Sequence, residues 1–172
     1  MTTVGEPIMP TSSFMSVILF FLASAVLSAM AVAGDVPDLT KTPGLARVGL
    51  SKEKICSIMW GKDERHVTDD MKRHVFEAYG YSGYHDPQCV ADGKGRTCEI
   101  DHLIGRELGG ADDPKNLWPQ SYGTKPWNAN LKDKLENRLH KEVCAGALSL
   151  RKARDLLVND WRKAYVQFYG QP

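Results

Sequence analysis

Four cysteines constrain this chain more than any other feature of its sequence. Cys56, Cys89, Cys98 and Cys144 span much of the 172 residues, and none stands in a Cys-x-x-Cys pair. That spacing disfavours a structural zinc site and leaves three possible disulfide pairings. Cys89 and Cys98 flank Asp92-Gly93-Lys94-Gly95, a strong turn signal. The spacing therefore predicts a hairpin over residues 88–101 with these two cysteines facing each other across it. The remaining pair, Cys56 and Cys144, would then tie an early helix to a late one. On a chain-entropy argument the short loop contributes about 2–3 kcal/mol and the long one about 4–5 kcal/mol. The alternative is four free thiols in a reducing compartment.

The N-terminus argues for the oxidised alternative. Residues 17–27 form an apolar run, and Ala29-Met30-Ala31 and Ala31-Val32-Ala33 each offer the small-x-small pattern of a signal-peptidase site. Residues 1–33 are read as a secretory signal and residues 34–50, rich in Pro and Gly, as an extended arm. Residues 51–172 are read as the folded domain. Residues 1–16 contain no Lys or Arg and carry Glu6, so Met9 and Met15 are alternative starts. The competing reading is an uncleaved anchor, because residues 14–34 are long enough to span a bilayer. The expected location is secreted or periplasmic, without stable membrane association once the signal is removed.

Apolar content of 42% and charged content of 25% are those of a globular domain. A formal charge of +1 gives no overall basic character, so any anion-binding surface must come from how charges are distributed. Ser51 can cap a short helix reaching about Met59. Thr68 caps a second, in which Asp69 and Asp70 complement the dipole, Met71, Val75 and Tyr79 repeat at i, i+4, and Gly80 ends it. Residues 103–121 hold Gly105, Gly109, Gly110, Pro114 and Pro119 and read as a long structured loop. Pro126 fits the first position of a third helix, where Leu131, Leu135, Leu139 and Val143 make an apolar stripe up to Gly146. Ser149 caps the last helix, with Leu150, Ala153, Leu157, Trp161, Ala164 and Phe168 on its buried face. Trp60, Trp118, Trp127 and Trp161 are read as packing residues. The expected order is helix, helix, hairpin, loop, helix, helix.

The segment with chemical content is Cys98-Glu99-Ile100-Asp101-His102-Leu103-Ile104, followed by Glu107-Leu108-Gly109-Gly110 and Asn116-Leu117-Trp118-Pro119. Neighbouring side chains on a strand point in different directions. One of an Asp-His pair can hold a hard cation while the other reaches a water. Asp101-His102, the Gly-Gly loop, Asn116 and a following helix resemble the HNH (ββα-metal) nuclease family, and small secreted bacterial HNH proteins in particular. That likeness runs through Ile55-Cys56, Trp60-Gly61-Lys62-Asp63, Arg65-His66-Val67, Met71-Lys72, Tyr79-Gly80, Leu139-His140, Val143-Cys144 and Asp160-Trp161, about residues 40–168.

The resemblance implies an α+β fold with a ββα-metal core, extra helices before and after it, and two disulfides. It implies a metal-dependent endonuclease that hydrolyses phosphodiester bonds in DNA, with RNA as the alternative. The cation would be divalent, Mg2+ first and Mn2+ second. Asp101 would be a metal ligand and His102 the general base that activates water. Asn116, fourteen residues on, would bond backbone across the loop and hold His102 in place. A final metal ligand comes from the following helix, where this chain has no His at the usual position. Asn128 and Asn130 are the candidates. With Asn128 at 0° on a helical wheel, Leu131, Leu135 and Leu139 fall near about −60°, −20° and +20°, and Asn130 near about 200°. Asn128 shares the apolar face and is preferred. His140, near about 120° and more than two turns along, is expected to be structural. Arg65, His66, Arg106 and Lys132 are candidate substrate contacts. The basic runs over residues 132–141 and 151–154 are interleaved with acids and read as solvated faces. A non-catalytic exported module on the same scaffold, binding nucleic acid or an envelope partner, is the alternative, and an exported antibacterial toxin ranks below it.

Overall fold

The computed structural model describes Met1, residues 36–58 and residues 64–172. The proposed signal or anchor, and the Trp60 to Asp63 stretch, lie outside the described residues. Among the described residues, four α-helices and a two-stranded antiparallel sheet make an α+β arrangement: α1 (Lys52–Ser57), α2 (Asp69–Tyr79), β1 (Cys98–His102), β2 (Leu117–Ser121), α3 (Ala129–Ala145) and α4 (Leu150–Tyr169). The cap residues act as their chemistry dictates. Ser51, Thr68 and Ser149 accept through their side chains from the backbone N–H groups of Lys54, Met71 and Lys152. Gly80 and Gly146 close α2 and α3.

The strand partner differs from the expected hairpin. The turn after Cys89 forms, with Asp92 N–H donating to Arg96 O at 2.8 Å. Residues 89–91 nevertheless do not pair with β1. Val90 N–H donates to Ser121 Oγ and Gly123 N–H to Val90 O, so this segment runs past the end of β2. β1 pairs instead with β2, from Cys98 opposite Ser121 to His102 opposite Leu117. β2 lies inside the stretch read as loop, because Pro114 and Pro119 argue against a strand. A two-stranded sheet tolerates Pro119, since one edge of β2 has no neighbour that needs its missing N–H.

The start of α3 is a second correction. Pro126 is not its first residue; Lys125–Pro126 is a cis peptide, and the helix begins at Ala129 with Asn128 as its cap. α1 ends at Ser57, short of Met59.

The described part of the arm, residues 36–50, does more than extend into solvent. Thr42 is fully buried and donates its hydroxyl to Leu117 O at 2.8 Å. Gly44 N–H donates to Lys115 O, Arg47 N–H to Gly109 O, and Leu45 O accepts from Ala111 N–H. The arm is a strap laid against the loop between the strands. Gly109 and Gly110 make this close fit possible. Gly109 has φ 83°, and a Cβ on Gly110 would lie 1.7 Å from Ile104 O.

Two apolar clusters flank these elements. One joins the α3 stripe of Leu135, Leu139 and Val143 to Ala153, Leu157 and Trp161 of α4, with Ile104 and Leu108 from the loop. The other joins Val75 and Phe76 of α2 to Cys98, Ile100 and Leu117 of the sheet. Trp118 and Trp161 are buried, in keeping with packing roles.

Both disulfides pair as the sequence suggests, Cys56–Cys144 with 88 residues of separation and Cys89–Cys98 with 9. Replacing Cys56 and Cys144 together by Ala should cost about 4 kcal/mol of unfolding free energy, and replacing Cys89 and Cys98 about 2–3 kcal/mol. Urea titrations of the two variants measure this, and a larger loss from the short loop would refute the loop-entropy account.

Candidate active site

Period-two alternation along β1 sets the site. Cys98, Ile100 and His102 are buried, while Glu99 and Asp101 are half-exposed on the other face. Glu99 and Asp101 therefore lie side by side, two residues apart on one surface. α3 adds Asp133. One carboxylate oxygen from each of Glu99, Asp101 and Asp133 lies within 4.8 Å of the others, a grouping that could hold a metal ion. These residues line a cavity of about 300 Å³ with Arg65, His102, Gly105, Arg106, Glu107 and Glu136. A larger hollow, about 560 Å³, lies beside Trp127 and Asp160 and has no comparable convergence of acids and an imidazole.

Burial and mutual repulsion shape the acids. Desolvation, then the Asp101 charge, pushes the Glu99 carboxyl up to about 7, and the same two causes push Asp133 up to about 6. Burial also raises Glu107. Tyr122 donates its hydroxyl to Glu99 Oε2 at 2.6 Å, while Glu99 Oε1 is buried with no hydrogen-bond partner. A hard divalent cation is the ligand this set fits: three carboxylates in coordination range, one oxygen of them orphaned, and a charge excess that a cation would relieve.

His102 is 5% exposed, and its Nε2 lies 2.7 Å from Asp112 Oδ1. Burial opposes ionisation of Asp112, but hydrogen bonds from His66 N–H and the His102 ring outweigh it and hold the carboxyl below its ordinary value. An ionised carboxylate only accepts, so Nε2 carries the ring proton and Nδ1 is the basic nitrogen. Desolvation lowers the imidazolium pKa to about 4, against the opposing pull of Asp101 and Asp112, so the ring is neutral near pH 7.

The loop that carries Asp112 hangs on Asn116. Its Oδ1 accepts from Ile104 N–H at 3.0 Å and Leu45 N–H at 3.3 Å, and its Nδ2 donates to Ile104 O and Ala111 O, both at 3.1 Å. The residue is fully buried. It acts across the loop, as the sequence suggests, and through backbone rather than on the reacting atoms.

Two expected contacts are corrected. Asn128 caps α3: its backbone is extended (φ −158°, ψ 173°), Oδ1 accepts from Leu131 N–H, and Nδ2 donates to Thr124 O. It does not line the cavity. The wheel failed because it treated a non-helical cap as a helical position, and the cap turns its side chain back onto its own helix. Lys132 was read as a solvated or phosphate-binding charge, yet it is 0% exposed and donates to Asp101 Oδ2, Glu136 Oε1 and His102 O. No substrate reaches it. At about 40° on that same wheel it shares the apolar face, the signal that marked it as buried.

Arg65 lines the cavity and donates to Ile100 O. The His66 side chain is exposed beside Glu64, and only its N–H serves the site, donating to Asp112 Oδ2 at 2.6 Å. Arg106 also lines the cavity. His140 sits against the disulfide, 3.4 Å from Cys144 Sγ. Sequence reasoning missed Glu99, Asp112, Asp133 and Glu136. Strand alternation pointed to Glu99, and the i, i+4 spacing of Lys132 and Glu136 pointed to a paired charge. Nothing local marked Asp112.

No family model matches the chain, nor does any curated protein or any solved structure.

The Glu99 shift carries a stability consequence. Its native value of about 7 lies above the ordinary 4.5, so the native state binds more protons than the unfolded chain between these values. Stability from this group is present below about pH 4.5 and is lost as pH rises through about 7. Glu99→Gln should therefore stabilise the protein in EDTA at pH 8 by on the order of 2 kcal/mol and leave it unchanged at pH 4. Urea unfolding at the two pH values measures this; equal effects at both would show that repulsion is not the cause.

Proposed function

We propose that this chain is an exported, divalent-metal-dependent endonuclease of the HNH (ββα-metal) type, which hydrolyses phosphodiester bonds in DNA. One observation carries the reading: His102, whose ring is hydrogen-bonded to Asp112, lines the same cavity as three carboxylates spaced for one hard cation. The order β1, β2, α3 and the backbone-bridging Asn116 between the strands support it. Two disulfides support passage through an oxidising compartment, and no helix among the described residues is long and apolar enough to cross a membrane.

Glu99, Asp101 and Asp133 would hold the cation, replacing the Asn128 of the sequence reading. A bound Mg2+ or Mn2+ would supply positive charge for the scissile phosphate and the leaving oxygen. The protein's own groups do the rest. His102 Nδ1 takes a proton from the attacking water, while Asp112 fixes the ring's orientation and tautomer. Arg65 and Arg106 line the same cavity, and their guanidinium groups would meet a phosphate anion in otherwise acidic surroundings. Water attacks phosphorus, the P–O bond to the leaving oxygen breaks, and a terminal phosphate and a hydroxyl remain.

Plasmid nicking in Mg2+ or Mn2+ tests this directly. His102→Ala should lower turnover at least about 100-fold with an unchanged far-UV spectrum. EDTA should stop the wild-type reaction. Full activity of the variant, or turnover in chelator, would remove the proposed chemistry; an RNA substrate cleaved in place of DNA would reassign only the substrate.

A further inference from the structure

We propose that the Lys132 ammonium is a resident cation that fills a second ion position in this site, so that the cavity takes one divalent ion rather than two. The inference rests on the metal-dependent reading above and concerns what that reading leaves unused. Lys132 Nζ lies 2.7 Å from Asp101 Oδ2, 2.5 Å from Glu136 Oε1 and 2.5 Å from His102 O. These are two carboxylate oxygens and a backbone carbonyl, the donor types that hold a hard cation at about 2.3–2.6 Å. An ammonium has three protons, and all three are used.

Neighbouring groups fix this position. Glu136 is 4% exposed, and its carboxylate is seated against Gly105, where an added Cβ would lie 2.7 Å from it. Asp101 faces both ways: Oδ2 holds Lys132, while its carboxylate also belongs to the group with Glu99 and Asp133. A carboxylate shared between two cation positions is the arrangement that would bridge a pair of ions about 4 Å apart. Here one of the two positions already contains a covalently attached charge. The ammonium cannot leave, needs no free ion, and keeps Asp101 oriented whether or not the open position is occupied.

Counting bound ions tests the proposal without reference to turnover. Full-length protein is titrated with Ca2+ by calorimetry, in the wild type, in Lys132→Ala, and in Lys132→Ala combined with Glu136→Gln. The expected counts are one ion, two ions and one ion. Two ions in the wild type would overturn the proposal without any variant, as would a folded Lys132→Ala with the wild-type count. If Lys132→Ala folds only with Ca2+ present, the ion has taken the ammonium's place and the proposal stands. Failure to fold with or without Ca2+ counts against it, because the position is then not one an ion can refill. A wild type that binds no ion beside a Lys132→Ala that binds one would remove the metal-dependent reading and the count of one, while still showing that the ammonium occupies a position an ion can fill. No binding in either would remove both.

Discussion

One buried amide holds the site together. Asn116 uses both ends of its side chain on backbone: Ile104 on one limb of the loop, Ala111 in the middle and Leu45 on the arm. This loop, with its glycines and prolines, has single 3-10 turns at Arg106–Leu108 and Pro114–Asn116 but no strand ladder to satisfy its polar groups. The Asn116 carboxamide replaces that ladder, and the residue is fully buried, so water cannot stand in for it. Asp112 is placed by this loop, and β2 begins at the next residue after Asn116. The His102 environment, the strand pairing and the seat of the arm therefore all depend on one side chain.

Electrostatics gives the cavity its character. Acids outnumber bases on its walls, and the most buried base, Lys132, is committed to two of the acids. Burying charges at this density costs stability unless each finds a partner. Lys132 is paired with Asp101 and Glu136, and Asp112 is satisfied by His102 and His66. Glu99 and Asp133 are left with raised affinities for protons. The unrelieved acidity thus gathers where β1, α3 and the loop bearing Glu107 meet, where the chemistry is proposed to occur.

Much of the scaffold was legible in the sequence because the signals were local. The caps at Ser51, Thr68 and Ser149, the stripe on α3 and the turn between Cys89 and Cys98 depend on residues within a few positions of one another. The strand pairing was not legible, because β1 finds its partner across a loop and Pro119 disguises that partner. The site divides in the same way. Asp101, His102 and Asn116 are recognisable from spacing, and the structure brings all three to the cavity or its supporting loop. Asn128 was misassigned because cap geometry replaces the helical wheel at a helix end. Lys132 was misassigned because its charge was weighed and its angular position was not. Asp112 gave no signal, since an aspartate after two glycines describes countless surface turns, and only the fold puts it beside His102.

The arm has a consequence for how the chain withstands its surroundings. Residues 38–47 lie against Tyr79, Leu117, Lys115, Gly109 and Ala111, so this stretch of the chain is also a brace for the loop behind His102. In the exported setting proposed above, aminopeptidases would trim ragged ends. Here the backbone that such enzymes would consume is pinned at Thr42 by two hydroxyl contacts, to Tyr79 and to Leu117 O. Nibbling from the front would stall at that clamp, and the loop would keep its brace for as long as the clamp held.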